Sequence, residues 1–450
     1  MTVAGMRISG KLASDGLWSL TGSVVSLVAG LAAIRLITRL VSPDAYGAAV
    51  LALGVAFLLN GLLIGPFMAV LNRIYFDYRE LGLAGWFVRT FRWLCGLAAL
   101  TTILAYLVVA AVLAHLGEPM YWRVAVPVAL LLSAQTYVNA LSTYTEAHRL
   151  QRRLAMIGVV QKIGVPVFLA ALLVASMDAT VSVILAQSLA LVLVLVLFRA
   201  PPIADAPVAA PDSGARRFTT LRHRVLSFGW SLPAGYAVGW VMTTSDRYVI
   251  GHFLTVHDVG AYAANYGLWT TPFLVLNGWL EVLTRPIIYQ HAARESWRTV
   301  RQVIMVRCAA GLGISFLFVG AAWAGYRLLS GWLLSPQYNI GLPIVLVLVA
   351  AYGLYVVGNS LIPVFLAAKR PLTVLAAGSV GAAANLTLNI LGIPHFGLIT
   401  AAVTTFIAML LWCAILAGGA SRLLHTLCRE ETDEPATSAL AQPQLTGGIT

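Results

Sequence analysis

The sequence predicts an all-α polytopic membrane protein, with about twelve transmembrane helices arranged as two lobes of six. The first observation is composition: 60% of the 450 residues are hydrophobic and 10% are charged, whereas a soluble chain carries roughly 25% charged residues. The second is a series of apolar stretches, each long enough to cross a hydrocarbon core, which takes about 20 helical residues. Backbone groups cannot remain unpaired in lipid and barrel-type alternation is absent, so these stretches are predicted to be helices.

The predicted spans follow one another along nearly the whole chain. They cover residues 16–40, 46–71, 93–116, 122–146, 154–176, 180–198, 225–250, 259–284, 303–326, 342–367, 371–392 and 396–419. The first span resembles a signal peptide, because Arg7 and Lys11 precede it. It continues through Arg35 into a second span without a convincing mature start, so we expect it to remain in the protein.

A third observation is an internal repeat with an offset of 212 residues. Trp18-Ser19-Leu20 opens the first apolar run as Trp230-Ser231-Leu232 opens the seventh, and Arg35 follows at the same distance as Arg247. We interpret the chain as two copies of one half, related as parallel repeats because each half has an even number of spans. Chance matching in a sequence rich in Leu, Ala and Val is the alternative interpretation.

The composition between and after the spans predicts the domain boundaries. Residues 1–200 form an N-terminal lobe and residues 225–420 a C-terminal lobe. Residues 201–224, rich in Pro and Ala, read as a flexible cytoplasmic linker between them. Residues 421–450 lack apolar periodicity and are predicted to be a disordered cytoplasmic tail.

The 29 Lys and Arg residues divide unevenly between the two sides of the predicted membrane. With the N-terminus inside, 23 fall in inner segments, five in outer segments, and Lys162 within a span. Because positive residues accumulate on the cytoplasmic side, we expect a multi-pass protein of the cytoplasmic (inner) membrane with both termini in the cytoplasm. The basic excess then indicates attraction to anionic membrane lipid, and no nucleic-acid partner is expected.

Motifs of several enzyme classes are missing from the sequence. It contains no GxxxxGK[ST] phosphate loop, no HExxH and no GxSxG. The four cysteines have neither metal-site spacing nor a paired pattern, so no metal and no cofactor is expected. All outer loops are short, which argues against a membrane glycosyltransferase or ligase. We therefore expect a transporter, not an enzyme, driven by an ion gradient; whether the ion is a proton or sodium stays open.

Two motifs resemble a known family. The segment from Arg35 to Gly47, RLITRLVSPDAYG, is similar to the first-hairpin signature of the Wzx-type polysaccharide flippases. The segments DRYVIGHFL, from Asp246, and VGAYAANY, from Val259, are similar to the signature of the second half. This family belongs to the superfamily that also contains the MATE drug exporters and the lipid II flippase, and the resemblance covers about residues 10–420.

The resemblance implies a flippase that carries an undecaprenyl-diphosphate-linked oligosaccharide from the inner to the outer leaflet. It implies two lobes forming a MATE-like V around a cavity that opens alternately to each side. A polymerase and a chain-length regulator are then expected partners, and the product is O-antigen, capsule or exopolysaccharide. The alternatives are a multidrug or small-cation exporter of the same fold, a membrane glycosyltransferase or ligase, and a scaffold of an export complex without transport.

A diphosphate head group needs a polar, preferably cationic passage, which arginine suits because its guanidinium binds phosphate oxygens bidentately. The candidates are Arg35, Arg39 and Arg247 near the outer ends of the first and seventh spans, and Lys162 within the fifth. Arg35 and Arg39 have an alternative role, snorkelling to the outer head groups. Asp246 is also a candidate for the cavity lining. Arg247 can instead pair locally with Asp246 and order the turn. Lys162, about 12 Å deep, can snorkel inward.

Uncharged and acidic residues complete the predicted site. Asn60 and Asn277 lie at comparable places in the second and eighth spans, where they suit sugar hydroxyls; amides joining helices are the alternative. Glu281, near the inner end of the eighth span, is the candidate for coupling to a proton or cation. Its alternative is a pair with Arg285, four residues later on the same helix.

Overall fold

The computed structural model describes residues 2–3, 6–7, 10–80, 83–148, 150–198 and 232–438. The predicted linker lies outside these ranges, as do residues 225–231 of the predicted seventh span and the chain beyond Ser438.

The N-terminal lobe is built from helices that follow the predicted spans. A short antiparallel pair, β1 (Thr2–Val3) and β2 (Met6–Arg7), comes first. The helices are α1 (Gly10–Leu40), α2 (Pro43–Leu63), α3 (Gly65–Glu80), α4 (Ala84–His115), α5 (Met120–Arg123), α6 (Ala125–Ala147), α7 (Gln151–Val174) and α8 (Ala179–Leu197). Helix α7 packs on both α1 and α8, and α8 also packs on α6.

The C-terminal lobe has a similar order of long helices. They are α9 (Leu232–Phe253), α10 (Val256–Ala292), α11 (Trp297–Leu333), α12 (Leu342–Ala367), α13 (Pro371–Phe396) and α14 (Ile399–Ser438), with a 3-10 turn at Pro336–Tyr338. Helix α12 packs on α11 and α14, and α13 packs on α9 and α14. The two lobes meet where α2 contacts α9 and α10 and where α1 contacts α10.

The predicted all-α polytopic membrane fold is confirmed. Within the described ranges, nine helices have the length and hydropathy needed to cross a membrane.

Two predictions need correction. The predicted span 46–71 is two helices, because α2 ends at Leu63 and Pro66, which has no backbone N–H, follows at the start of α3. The tail predicted to be disordered from residue 421 is helical as far as Ser438, because α14 continues and packs on the C-terminal lobe.

Candidate functional site at the lobe boundary

The α1–α2 turn and the α9–α10 turn lie side by side at one end of the molecule. Ser42 begins α2, and its hydroxyl accepts a hydrogen bond from the backbone N–H of Ala45 (3.3 Å). Thr255 begins α10 in a reciprocal capping box with Asp258. Such caps satisfy N–H groups that the first turn of a helix leaves unpaired. Both helices therefore begin at a defined residue, and we call this end of the molecule the sealed end.

Two glycines allow the helices to touch at the sealed end. A Cβ atom on Gly47 would overlap the carbonyl oxygen of Val256, and a Cβ on Gly260 would overlap that of Pro43. Each glycine thus lies against the first residue of the other lobe's helix. Because any side chain would force the helices apart, the contact depends on glycine at both positions.

Polar and aromatic contacts surround this crossing. His257 of α10 pairs with Asp44 of α2 (Nδ1 to Oδ2, 3.2 Å). The Tyr338 hydroxyl donates to the carbonyl of Val41 (2.8 Å), and the Tyr338 ring lies edge-on to Tyr46. Burial raises the pKa of Tyr338 above its usual range, so the hydroxyl remains a donor. The 3-10 turn of the C-terminal lobe is thereby tied to the end of α1.

Helix α2 then lies along α9 toward the other end of the molecule. The Tyr248 hydroxyl donates to the Leu51 carbonyl (2.7 Å), and the Trp240 indole N–H donates to the Gly54 carbonyl (2.8 Å). Further along, the ring of Tyr236 packs directly on Gly65. Side chains of one lobe thus bond backbone carbonyls of the other, which closes the lobes together over most of α2.

The predicted outer arginines of α1 occupy different environments. Arg35 is half-buried, and its guanidinium stacks on the indole of Trp332, with 4.2 Å from Cζ to the ring centroid. This cation–π contact joins α1 to α11, so Arg35 bridges the lobes. Arg39 is exposed in the last turn of α1.

Asp246 and Arg247 do not line an open passage, which corrects the cavity prediction for both. They are 2% and 8% exposed, and Arg247 Nη1 lies 3.2 Å from Asp246 Oδ1. The same guanidinium donates to the carbonyl of Thr243 (2.7 Å) and sits 4.3 Å from the ring centroid of Tyr266. A charge taken out of water needs such partners, so the pair belongs to the packed interior of the C-terminal lobe.

A buried tyrosine lies next to this pair. The Tyr262 hydroxyl lies beside the Asp246 carboxylate and has no hydrogen bond of normal geometry to a described residue. Tyr266 and Tyr352 join hydroxyl to hydroxyl next to it. The burial of these charges was not readable from the sequence motif.

Lys162 lies on the face of α7 that packs against α1. Ala155 meets Gly22, and Gly158 lies near the Ser26 hydroxyl (3.5 Å from an ideal Cβ). Lys162 follows Gly158 by four residues and therefore lies on the same face, one turn further. It is exposed and has no ion pair with a described residue.

A cavity of about 250 Å³ lies at this place on the lobe boundary. It is lined by Gly22, Ser26, Gln151, Leu154, Ala155 and Gly158 of the N-terminal lobe and Val275 of the C-terminal lobe. Its walls come from α1, α7 and α10, so the space is shared by both lobes. Lys162 lies one turn beyond Gly158 on α7 and is not among the lining residues.

Amides form a short ladder within the N-terminal lobe. Gln135 donates to Asn139 (2.6 Å), and Asn139 donates to the side-chain oxygen of Asn60 (3.4 Å). The Nδ2 of Asn60 is buried without a partner among the described residues, and so is the Oδ1 of Asn277. The ladder joins α2 to α6 as interhelical amides do, and it leaves the Asn60 donor unused. The unused acceptor of Asn277 lies in α10 of the other lobe.

Glu281 lies between two arginines. Its Oε1 is 3.2 Å from Nε of Arg285, the predicted pair, and its Oε2 is 2.7 Å from Nη2 of Arg307. Arg307 is 1% exposed and also donates to the Thr284 hydroxyl (2.9 Å). Arg307 lies within the predicted span 303–326 and was not predicted as a partner of Glu281; it is buried in α11. The cluster carries one negative and two positive charges.

A second polar group joins α13 to α14. Asn389 donates to Asn385 (3.1 Å), and Thr404 donates to Asn389 (2.7 Å). Within the described ranges, no three His, Cys, Asp or Glu residues come together as metal ligands. Asp44, at the sealed end, is paired with His257, and Asp246 and Glu281 are paired with arginine.

No protein-family model and no curated protein matches the sequence. Solved structures share the fold. A multidrug resistance MATE family transporter of the MOP superfamily, in an inward-facing conformation, superposes with a TM-score of 0.70 and 12% identity, over 92% of this chain and 99% of that chain. The lipid II flippase MurJ, in an inward closed conformation, gives 0.65 and 14%, over 91% and 89%.

A third similar structure is a MOP superfamily transporter from Pyrococcus furiosus, with a TM-score of 0.63 and 12% identity over 93% of this chain and 96% of that one. Its reported reversed pocket polarity was taken to suggest a different function. At such identities the comparisons establish a common fold. The substrate has to be argued from the residues of this chain.

Proposed function

We propose that this protein is a flippase for undecaprenyl-diphosphate-linked oligosaccharide, moving the repeat unit from the inner to the outer leaflet by alternating access. The polyprenyl tail stays in lipid while the charged head group passes between the lobes. Such a head group cannot cross about 30 Å of hydrocarbon unaided. A polymerase and a chain-length regulator act after it.

The balance of charge at the lobe boundary carries the proposal. Asp246 is paired with Arg247, and Glu281 is held by both Arg285 and Arg307. Lys162 lies one helical turn beyond Gly158 of the cavity wall, is exposed and has no described ion-pair partner. Among the candidate residues, the unpaired charge is therefore positive, which suits a diphosphate.

The closure of one end supports transport by rocking of the lobes. Gly47 and Gly260 join the helices at the sealed end. With both termini in the cytoplasm of an inner-membrane protein, the sealed end faces outward. The lobes are then arranged to accept a substrate from the inner leaflet, and transport requires the sealed end to open.

The second candidate is an exporter of drugs or small cations, which the likeness to MATE transporters supports. A cation needs a carboxylate that is free to bind it. The arginine partners of Asp246 and Glu281 disfavour this candidate. Weaker binding of a cationic dye to the Glu281→Gln variant, with Lys162 unchanged, would favour the exporter candidate.

Flipping in proteoliposomes tests the proposal directly. We expect Lys162→Gln to slow translocation of a diphosphate-linked oligosaccharide about tenfold, because one charge-assisted bond contributes roughly 1.5–3 kcal/mol. Lys162→Arg should restore most of the rate, and Gln161→Ala serves as the neighbouring control. Equal translocation rates for the Lys162→Gln variant and the native protein would contradict a role for Lys162 in binding the diphosphate.

A further inference from the structure

A large cavity lies in the C-terminal lobe, away from the lobe boundary. Its volume is about 1530 Å³, and its lining comes from the α10–α11 turn, the α12–α13 turn and the last part of α14. Helix α10 begins at the sealed end and finishes at this cavity, so the cavity lies at the opposite end of the lobe. Transport of a substrate between the lobes does not explain this cavity.

The floor of the cavity lies at the level of the membrane surface. Lys369 and Arg370 form the α12–α13 turn, and two exposed apolar residues flank them, Leu366 and Leu372. Leu372 is 68% exposed, as expected of a side chain that faces lipid. The turn is therefore the point where the chain leaves the hydrocarbon, and lipid head groups lie at the same height.

The walls of the cavity, formed by the α10–α11 turn and the last part of α14, are held together by packing and by a hydrogen bond. Trp297 and Leu423 pack together in the core of the lobe and also line the cavity. The carboxylate of Glu431 accepts a hydrogen bond from the backbone N–H of Arg298 (2.9 Å) and thereby caps the start of α11. The extension of α14 is thus held against the α10–α11 turn, and the cavity has a defined shape.

Two charged residues at this cavity adopt a backbone conformation that favours glycine. Glu295 has φ 59° and Lys369 has φ 57°, and in the described ranges Ser176 is the only other non-glycine residue with positive φ. Each follows the end of a helix, where glycine is the strain-free residue. Strained residues also gather at functional sites, and both of these carry a charged side chain at the cavity.

Five exposed charges of both signs surround the space. Arg294, Lys369 and Arg370 are basic, and Glu295 and Glu430 are acidic. None of the five forms an ion pair with another described residue. A ligand that complements these charges carries a negative and a positive group close together. Because part of the cavity wall is apolar, the ligand also needs an apolar part.

We propose that this cavity binds one phospholipid whose head group carries both a phosphate and a primary ammonium, which donates hydrogen bonds to carboxylates as a lysine ammonium does. The phosphate lies on Lys369 and Arg370, where Arg294 also contributes charge, and the ammonium lies on Glu295 and Glu430. The acyl chains leave along Leu366 and Leu372 into the bilayer. This proposal is independent of the substrate that passes between the lobes.

Native mass spectrometry of the full chain in detergent tests the proposal. The protein is stripped of lipid and then titrated with phosphatidylethanolamine, phosphatidylcholine and phosphatidylglycerol, and separately with glycerophosphoethanolamine and inorganic phosphate. We expect one tightly retained phosphatidylethanolamine per chain, with weaker retention of the other two lipids. Tighter binding of phosphatidylglycerol, or equal binding of the soluble phosphates, would overturn the proposal.

Glycine variants give a test that misfolding does not confound, because glycine relieves the positive φ. Lys369→Gly combined with Arg370→Gln should weaken retention about tenfold or more, as expected for the loss of two charge-assisted bonds. Glu295→Gly combined with Glu430→Gln should abolish the preference for ethanolamine over choline. Ser176→Gly relieves the same strain in the other lobe and should change nothing. Unchanged retention in both double variants would overturn the proposal.

Discussion

Gly47 of α2 and Gly260 of α10 each lie under a backbone carbonyl at the start of the other's helix, and their positions are equivalent in the two lobes. Gly47 lies against Val256, and Gly260 lies against Pro43. Asp44 and His257, which pair beside them, are 213 residues apart in the chain, and the two glycines have the same separation. The contact is therefore reciprocal, and it joins the two halves of the predicted repeat at one point.

Alanine at either glycine should open the sealed end. Gly260→Ala places a Cβ where the Pro43 carbonyl lies, and overpacking of this kind costs about 1–3 kcal/mol. We expect lower thermal stability in detergent and faster labelling of a cysteine placed at Thr255. Gly278→Ala, on the same helix with open space around it, is the matched control and should not lower stability. A Gly260→Ala protein as stable as this control would contradict the reciprocal contact.

Removal of the Glu281 charge should destabilise the C-terminal lobe. Glu281→Gln leaves the guanidinium of Arg307 buried without a charged partner, which costs about 3 kcal/mol. Arg285 is half-exposed, so Arg285→Gln should change the free energy of unfolding by less than about 1 kcal/mol. Chemical unfolding in detergent measures both variants.

The same carboxylate is the site where we propose ion coupling. If Glu281 takes up a proton during transport, Glu281→Gln should flatten the pH dependence of flipping in proteoliposomes. Arg285→Gln, which keeps the carboxylate and its bond to Arg307, should retain that dependence. An unaltered pH profile in Glu281→Gln would place coupling elsewhere.

The pair formed by Asp246 and Arg247 should behave as a unit. Asp246→Ala leaves a buried, unpaired guanidinium and should cost about 3–5 kcal/mol. Combining it with Arg247→Met should recover a large part of this loss, because an apolar pair needs no compensation. A double-mutant cycle on unfolding free energies measures the coupling between them. If the losses of unfolding free energy are strictly additive, the interaction between Asp246 and Arg247 contributes nothing to stability.

The stacking of Arg35 on Trp332 predicts a link between the lobes. Arg35→Ala should lower the delivery of surface polysaccharide without lowering the protein level, because the contact contributes about 0.5–2 kcal/mol. Trp332→Ala should have a similar effect, and the double variant should be no worse than either alone. Exposed Arg39 offers the control, since Arg39→Ala leaves this contact intact. Normal polymer in the Arg35→Ala strain would argue against a role for Arg35.

Several site features were readable from the sequence because they are local. The Glu281–Arg285 pair follows from a spacing of four residues on one helix, and the Asp246–Arg247 pair from adjacency. Arg307, 26 residues from Glu281, was not predicted as its partner. Its burial depends on how α11 packs on α10, which no local pattern records.

The sequence by itself determined the membrane class and most of the helices, because hydropathy over about 20 residues is a local property that decides whether a segment enters the bilayer. The internal repeat stays a prediction. Only the tertiary structure decided which charged side chains form ion pairs with each other. Arg247 and Arg307 lie in helices that look alike in sequence to those of Lys162 and Arg39, yet the first two are buried and paired. The direction in which a helix faces is set by its neighbours, since a membrane-spanning helix satisfies its own backbone in any rotation about its axis.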